Sequence, residues 1–180
     1  CNSSKTDGIR SQTTEEDVMR LSGRVRTLRG TVDFPSRTSS DPVNTGKRLI
    51  ILDDGRINIG YRIIDFRIWN ADMIGFNTAF AAQAHLAMSP DITNRLPEAS
   101  DNREIGWAAY NTSSGNIISD FRLVDPDHIV VRDLNLVFPQ VDNLAAAVQV
   151  NYYILMEEYA ISDMEAIVSI IKEESQDVEN

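Results

Sequence analysis

Apolar and polar residues alternate along most of this chain with a period of two, the spacing of a strand that buries one face. Val25, Leu28 and Val32, set among Gly23, Arg24, Arg26, Arg29 and Gly30, predict an imperfect strand with a bulge at Gly30. Residues 35–46 gather Pro35, Ser36, Ser39, Ser40, Asp41, Pro42, Asn44 and Gly46, which is loop chemistry. The run Leu49–Leu52, the triplet Asp53-Asp54-Gly55 and the alternating Arg56–Ile59 predict a tight hairpin, with Asp54-Gly55 supplying positive-φ positions. From Tyr61 to Trp69, Arg62, Ile64, Phe66 and Ile68 point one way and Tyr61, Ile63, Asp65, Arg67 and Trp69 the other. Apolar groups on both faces predict a central strand of a sandwich.

Between Thr78 and Met88 the alanines favour helix by propensity. The unbroken alternation of Phe80, Ala82, Ala84, Leu86 and Met88 favours strand, and strand is the reading adopted. A surface loop over 89–103 follows, then strands at Glu104–Tyr110 and Ile117–Val124, the turn Asp125-Pro126-Asp127, and a strand His128–Phe138 ended by Pro139. A last strand covers Ala147–Tyr159, with Val148, Val150, Tyr152, Ile154 and Met156 on one face. The period then changes. Ser162-Asp163-Met164-Glu165 is a capping box, and Met164, Ile167, Val168 and Ile171 form an apolar stripe at helical spacing. This predicts a short C-terminal helix whose stripe packs on its own domain, the simpler case, or on a neighbouring subunit.

These elements predict an all-β fold: an antiparallel two-sheet sandwich, jelly-roll-like, of eight strands with one C-terminal α-helix. An immunoglobulin-like sandwich is the alternative, without the inter-sheet disulfide of antibody domains, because the chain has one cysteine. Residues 1–18 read as a flexible polar arm, in which Ile9 is the only aliphatic residue before Val18. Residues 19–161 form the sandwich domain, and 162–180 the helix and an acidic tail.

Composition narrows the function. At 180 residues the chain holds one domain. No apolar run approaches the roughly 18 residues of a membrane-spanning helix. The net charge of −10 argues against a nucleic-acid-binding surface. Charge is also polarised: residues 1–30 carry +2 and residues 157–180 carry −7. Arg24, Arg26 and Arg29 form a basic stripe suited to gripping the acidic end of another copy; a solvated strand face explains the same stripe. Cys1-Asn2-Ser3-Ser4 resembles the start of a processed bacterial lipoprotein lipidated on Cys1, and numbering from partway through a longer chain gives the same terminus.

Candidate chemistry is sparse. His85 and His128 have no partner nearby in sequence, save that His128 follows Asp125-Pro126-Asp127. Two carboxylates and an imidazole suit a divalent metal, but a turn in which Asp127 bonds its own backbone is simpler. Asp53-Asp54 reads as a hairpin tip rather than a calcium loop. Cys1 lacks a neighbouring base. Trp69, Trp107, Tyr110, Tyr152, Tyr153 and Tyr159 suit sugar stacking or, more simply, core packing. The expectation is therefore no catalytic residue, no metal and no cofactor. The subunit-contact candidates are Arg24, Arg26 and Arg29 together with Met164, Ile167, Val168 and Ile171.

Two stretches resemble small β-rich virion structural proteins of marine bacteriophages. One is Leu49-Ile50-Ile51-Leu52-Asp53-Asp54-Gly55-Arg56 with the Tyr61–Trp69 strand. The other is Asp101-Asn102-Arg103-Glu104-Ile105-Gly106-Trp107 with Asp125-Pro126-Asp127-His128-Ile129-Val130-Val131. The resemblance implies a non-enzymatic capsid, decoration or tail component that self-associates or binds other virion proteins, with no catalytic residue to carry over. The alternative is a surface lipoprotein or carbohydrate-binding β-sandwich module at the bacterial cell surface or outside the cell.

Overall fold

The computed structural model of the protein describes residues 20–38, 40–41, 44–52, 55–56, 58–71, 79–88, 97–113, 116–142, 146–162, 164 and 167–168. Among them are strands β1 (Arg20–Phe34), β2 (Asn44–Ile50), β3 (Ile59–Asn70), β4 (Phe80–Ala87), β5 (Glu104–Ser113), β6 (Asn116–Val124), β7 (Leu134–Asp142) and β8 (Val148–Ala160). They make two antiparallel sheets, one ordered β1-β8-β3 and the other β2-β7-β4-β5-β6.

Alternation is what lets the sheets share a core. Every second residue of β8 from Val150 to Met156 is buried, as are Phe66 and Ile68 of β3. The other sheet contributes Ala82, Ala84 and Leu86 of β4 and Leu134, Leu136 and Phe138 of β7 to the same buried cluster. Each sheet thus removes the other's apolar face from water. Phe34 and Phe138 meet edge to face across the two sheets, with ring centroids 5.4 Å apart. Within the ambiguous segment, Phe80–Ala87 is strand, as the alternation predicts, and pairs with β5 on one side and β7 on the other.

Tertiary structure overrides several local signals. The hairpin expected at 53–55 does not form, because β2 and β3 belong to different sheets and the chain between them crosses from one to the other. Gly55 does take a positive φ of 84°; the turn residue sets a bend but does not choose which strands pair. Leu52, nearly fully buried, anchors this crossing by donating its N–H to Asp133 Oδ1 at 3.1 Å. Strand β3 is an edge strand rather than a central one. Its register against β8 slips between Ile63 and Asp65, so Ile63 and Phe66 are both buried while Ile64 is exposed. That bulge breaks the strict two-residue alternation expected of the segment.

The irregularity of β1 falls between Leu21 and Val25, where Gly23 has φ 76°, not at Gly30. Gly30 is regular strand, and a β carbon there would stand 2.5 Å from the Tyr152 hydroxyl. Pro139 does not end its strand, which runs on to Asp142. Both neighbouring ladders slip around it, β2 between Asn44 and Gly46 and β4 between Gln83 and His85, so a residue without an N–H is tolerated there. The first part of the expected His128–Phe138 strand makes a single bridge, Val130 with Tyr61.

Residues 1–19, Asp53, Asp54 and Ile171 lie outside the described residues, and with them the N-terminal arm. So does most of the segment expected to form the C-terminal helix. Met164, Ile167 and Val168 have helical backbone. Their side chains are exposed, so the packing expected of this stripe on its own domain is not seen at these positions.

Candidate functional site: the outer face of β4, β5 and β6

The face of the five-stranded sheet turned away from the core carries a buried imidazole and carboxylate, His85 and Glu104. Register places Val137 of β7, His85 of β4, Trp107 of β5 and Leu123 of β6 in one row across it. Glu104, at the start of β5, lies beside His85, and neither side chain has any solvent exposure. The Glu104 carboxylate is held at one oxygen. Its Oε2 accepts from the Trp107 indole N–H at 2.7 Å and from the backbone N–H of Glu98 at 2.9 Å. Its Oε1 stands 3.7 Å from His85 Nε2, beyond hydrogen-bond reach. That oxygen and both His85 ring nitrogens have no hydrogen-bond partner.

The turn before β5 brings Glu98 into place. Asp101 accepts three bonds from the Arg103 guanidinium, at 2.9, 3.3 and 2.7 Å, while the Glu104 N–H bonds to Asp101 O at 3.0 Å. The Arg103 hydrogen bond holds the Asp101 carboxyl below the usual carboxylate range. Burial pushes the His85 pKa down to about 4, against the attraction of Asp101 and with the repulsion of Lys47. Burial likewise raises Glu104, opposed by the bonds from Glu98 and Trp107. His85 is thus neutral at pH 7. Both side chains are sealed from solvent, and the Glu104 carboxylate fixes the Trp107 indole.

Trp107, half-buried, leads to the sheet edge. Leu123 stands opposite it and Phe121 opposite Ala109, with 52% and 51% of these side chains exposed. Trp107, Leu123 and Phe121 together form an apolar strip ending at β6.

The other candidates disperse over the molecule. Arg24 lies 4.0 Å from Glu158 of its own chain. Arg26 donates to the Tyr61 hydroxyl at 3.2 Å and stacks over its ring, so two of the three stripe arginines have partners within the fold. Arg29 is exposed on the opposite face from Arg26. His128 Nδ1 lies 2.8 Å from Asp125 Oδ2, and Asp125 Oδ1 accepts the N–H of Asp127. The turn reading is right, but Asp125 is the residue that closes it, and the Asp127 bond lowers its pKa. Tyr110 and Tyr152 are buried in the core, while Trp69, Tyr153 and Tyr159 are half-buried. The Arg62 guanidinium covers Tyr159, 4.7 Å from its ring centroid. No group of three metal-ligating residues occurs among the described residues, and Cys1 lies outside them. At one end of the two sheets, a half-open cleft of about 840 Å³ is lined by Asp33, Asn70 and Gln149 beside Phe34 and Phe80.

Sequence reasoning missed Glu104. The sequence held no signal for it: three residues apart on a regular strand, Glu104 and Trp107 point to opposite faces, and the register slip between Leu86 and Ala87 is what brings them to one side. No family model matches this chain, and no curated protein or solved structure does either.

Proposed function

We propose that this chain is a non-enzymatic structural subunit of a virion, a capsid, decoration or tail component that works by joining copies of itself or other virion proteins. The observation that carries this reading is the apolar strip at β6, placed on a sheet edge that pairs with no further strand among the described residues and braced from behind by Glu104. Exposed contiguous apolar surface on a folded domain marks an interaction site. The strand order supports the architecture. A jelly roll is a long antiparallel ribbon wrapped on itself, and the pairings β1–β8, β2–β7 and β4–β5 belong to such a ribbon. Strand β6 departs from it by staying with β5 rather than joining β3. The stretch from Asp101 to Trp107 that resembles phage proteins is the one that anchors the strip. Light scattering over a wide concentration range is expected to show masses rising above the 20.2 kDa of one chain. A constant single-chain mass would overturn the reading.

The cleft at the end of the sheets favours a second reading, a carbohydrate-binding module at the bacterial surface. Asp33, Asn70 and Gln149 set beside Phe34 and Phe80 are suited to a small polyhydroxylated ligand. Calorimetric titration with oligosaccharides separates the two: heats of binding abolished by Asp33→Ala would favour it, and their absence would remove it.

A further inference from the structure

We infer that β6 is a self-complementary edge through which two copies of this chain pair about a twofold axis at Phe121, extending the five-stranded sheet from one copy into the next. The inference rests on the self-association reading and names the surface and partner it requires.

Four strand edges end the two sheets, and three are interrupted or occupied. The free side of β1 is filled mid-strand by Arg48, whose Nη1 donates to Thr31 O at 3.2 Å while its guanidinium lies over the Tyr152 ring. Strand β2 is short, slips at its start and carries the adjacent cations Lys47 and Arg48, which oppose self-pairing. Strand β3 is bulged at Ile64, and its free side bonds to Val130 through two hydrogen bonds of 2.8 Å at Tyr61. Strand β6 differs. Its pairing with β5 is regular from Ser119 to Val124, and among the described residues no hydrogen bond reaches its outer side.

The side chains of β6 suit a second copy of the same strand. In an antiparallel pair centred on Phe121, each residue meets the one equally far on the other side of the centre. Phe121 then meets the partner's Phe121, and Leu123 the partner's Ser119, on the outer face that carries Trp107. On the other face Arg122 meets the partner's Asp120, and Asp120 the partner's Arg122. Both residues are exposed. The competing intrachain contact of Arg122 is a long one, 3.9 Å to Asp65. Inward-facing charge ordinarily protects an edge from pairing. Here the opposite signs flank the centre symmetrically, so antiparallel self-pairing at this register joins them while a slip by two residues separates them. Isologous contacts of this kind close as dimers.

Sedimentation equilibrium on the full chain tests this by charge exchange. Asp120→Arg places two arginines opposite each other at both symmetry-related positions, and Arg122→Asp places two aspartates. Each single variant is expected to weaken dimerisation about tenfold or more. The double variant Asp120→Arg/Arg122→Asp restores opposite signs and is expected to dimerise like the wild type. Because Arg122→Asp and the double variant both lose the Asp65 contact, comparing them isolates the interchain pairs. Circular dichroism confirms that each variant is folded. If the wild type associates but the single variants associate equally well, or the double variant does not recover, the β6 edge is refuted and self-association stands. A strictly monomeric wild type overturns both.

Discussion

Strands β1 and β6 both end a sheet, and the protein treats the two edges in opposite ways. Beneath β1 lies Tyr152, fitted against Gly30, and over its free side lies Arg48, held by that tyrosine ring and by Thr31 O. Among the described residues no side chain bonds the outer backbone of β6, where Phe121 and Leu123 stand half exposed on a regular ladder and the contact from the opposite sheet is the long one of Asp65 with Arg122. An edge is closed by a side chain reaching from the opposite sheet, and one left open with apolar residues on it is available to another chain.

Truncations on the two sides sharpen this contrast. Phe138 packs edge to face on Phe34 at the end of β1, so Phe138→Ala is expected to cost about 3–5 kcal/mol in denaturant unfolding. Next comes Gly30→Ala, which forces the buried Tyr152 ring aside; it should cost about 1–3 kcal/mol and speed amide exchange along β1. If Gly30→Ala were neutral, the packed seal of β1 would be an illusion.

The buried pair behind β6 yields a pH signature. Folded His85 takes up its proton near pH 4, whereas the unfolded ring does so near 6.5. Between those values the unfolded chain binds more protons, so this group makes stability rise with pH across that window. Glu104 acts in the opposite sense. Its pKa is raised above 4.5, the folded chain keeps the proton longer, and stability falls as pH climbs from 4.5 through the raised value. Glu104→Gln should leave the His85 slope alone, approaching about 1.4 kcal/mol per pH unit at its steepest. His85→Leu should leave only the falling slope. Unfolding midpoints measured across this range check both, and identical profiles for the two variants would contradict the assignment.

Smaller effects complete the contrast. Arg48→Ala removes one hydrogen bond and a cation–π contact and is expected to cost about 1 kcal/mol. Its more telling result is new concentration dependence, since it opens β1. Phe121→Ala should change unfolding stability by no more than about 0.5 kcal/mol while weakening association. A large loss of stability with unchanged association would reverse the roles given to the two edges.

Most strands were legible because a half-buried strand writes its burial into alternate residues, as from Val150 to Met156. Pairing was not legible: Asp54-Gly55 signalled a turn, yet Leu49 and Ile59 ended in different sheets, since the choice of partner depends on layers distant in sequence. The slips at Ile63–Asp65 and around Pro139 were invisible for the same reason. The apolar strip on β6 was half legible. Ile117–Val124 read as a strand, but only the sheet order shows that one of its sides is free. The His85–Glu104 pair was not legible, because residues far apart in sequence meet there solely through the β4–β5 register.

Amide hydrogen exchange followed as a function of protein concentration tests the open edge most directly. Protection of the Ser119–Val124 amides is expected to rise with concentration while that of the Thr31–Asp33 amides stays constant. Protection of β6 that does not change with concentration, or a matching rise in β1, would contradict the claim that β6 is where copies join.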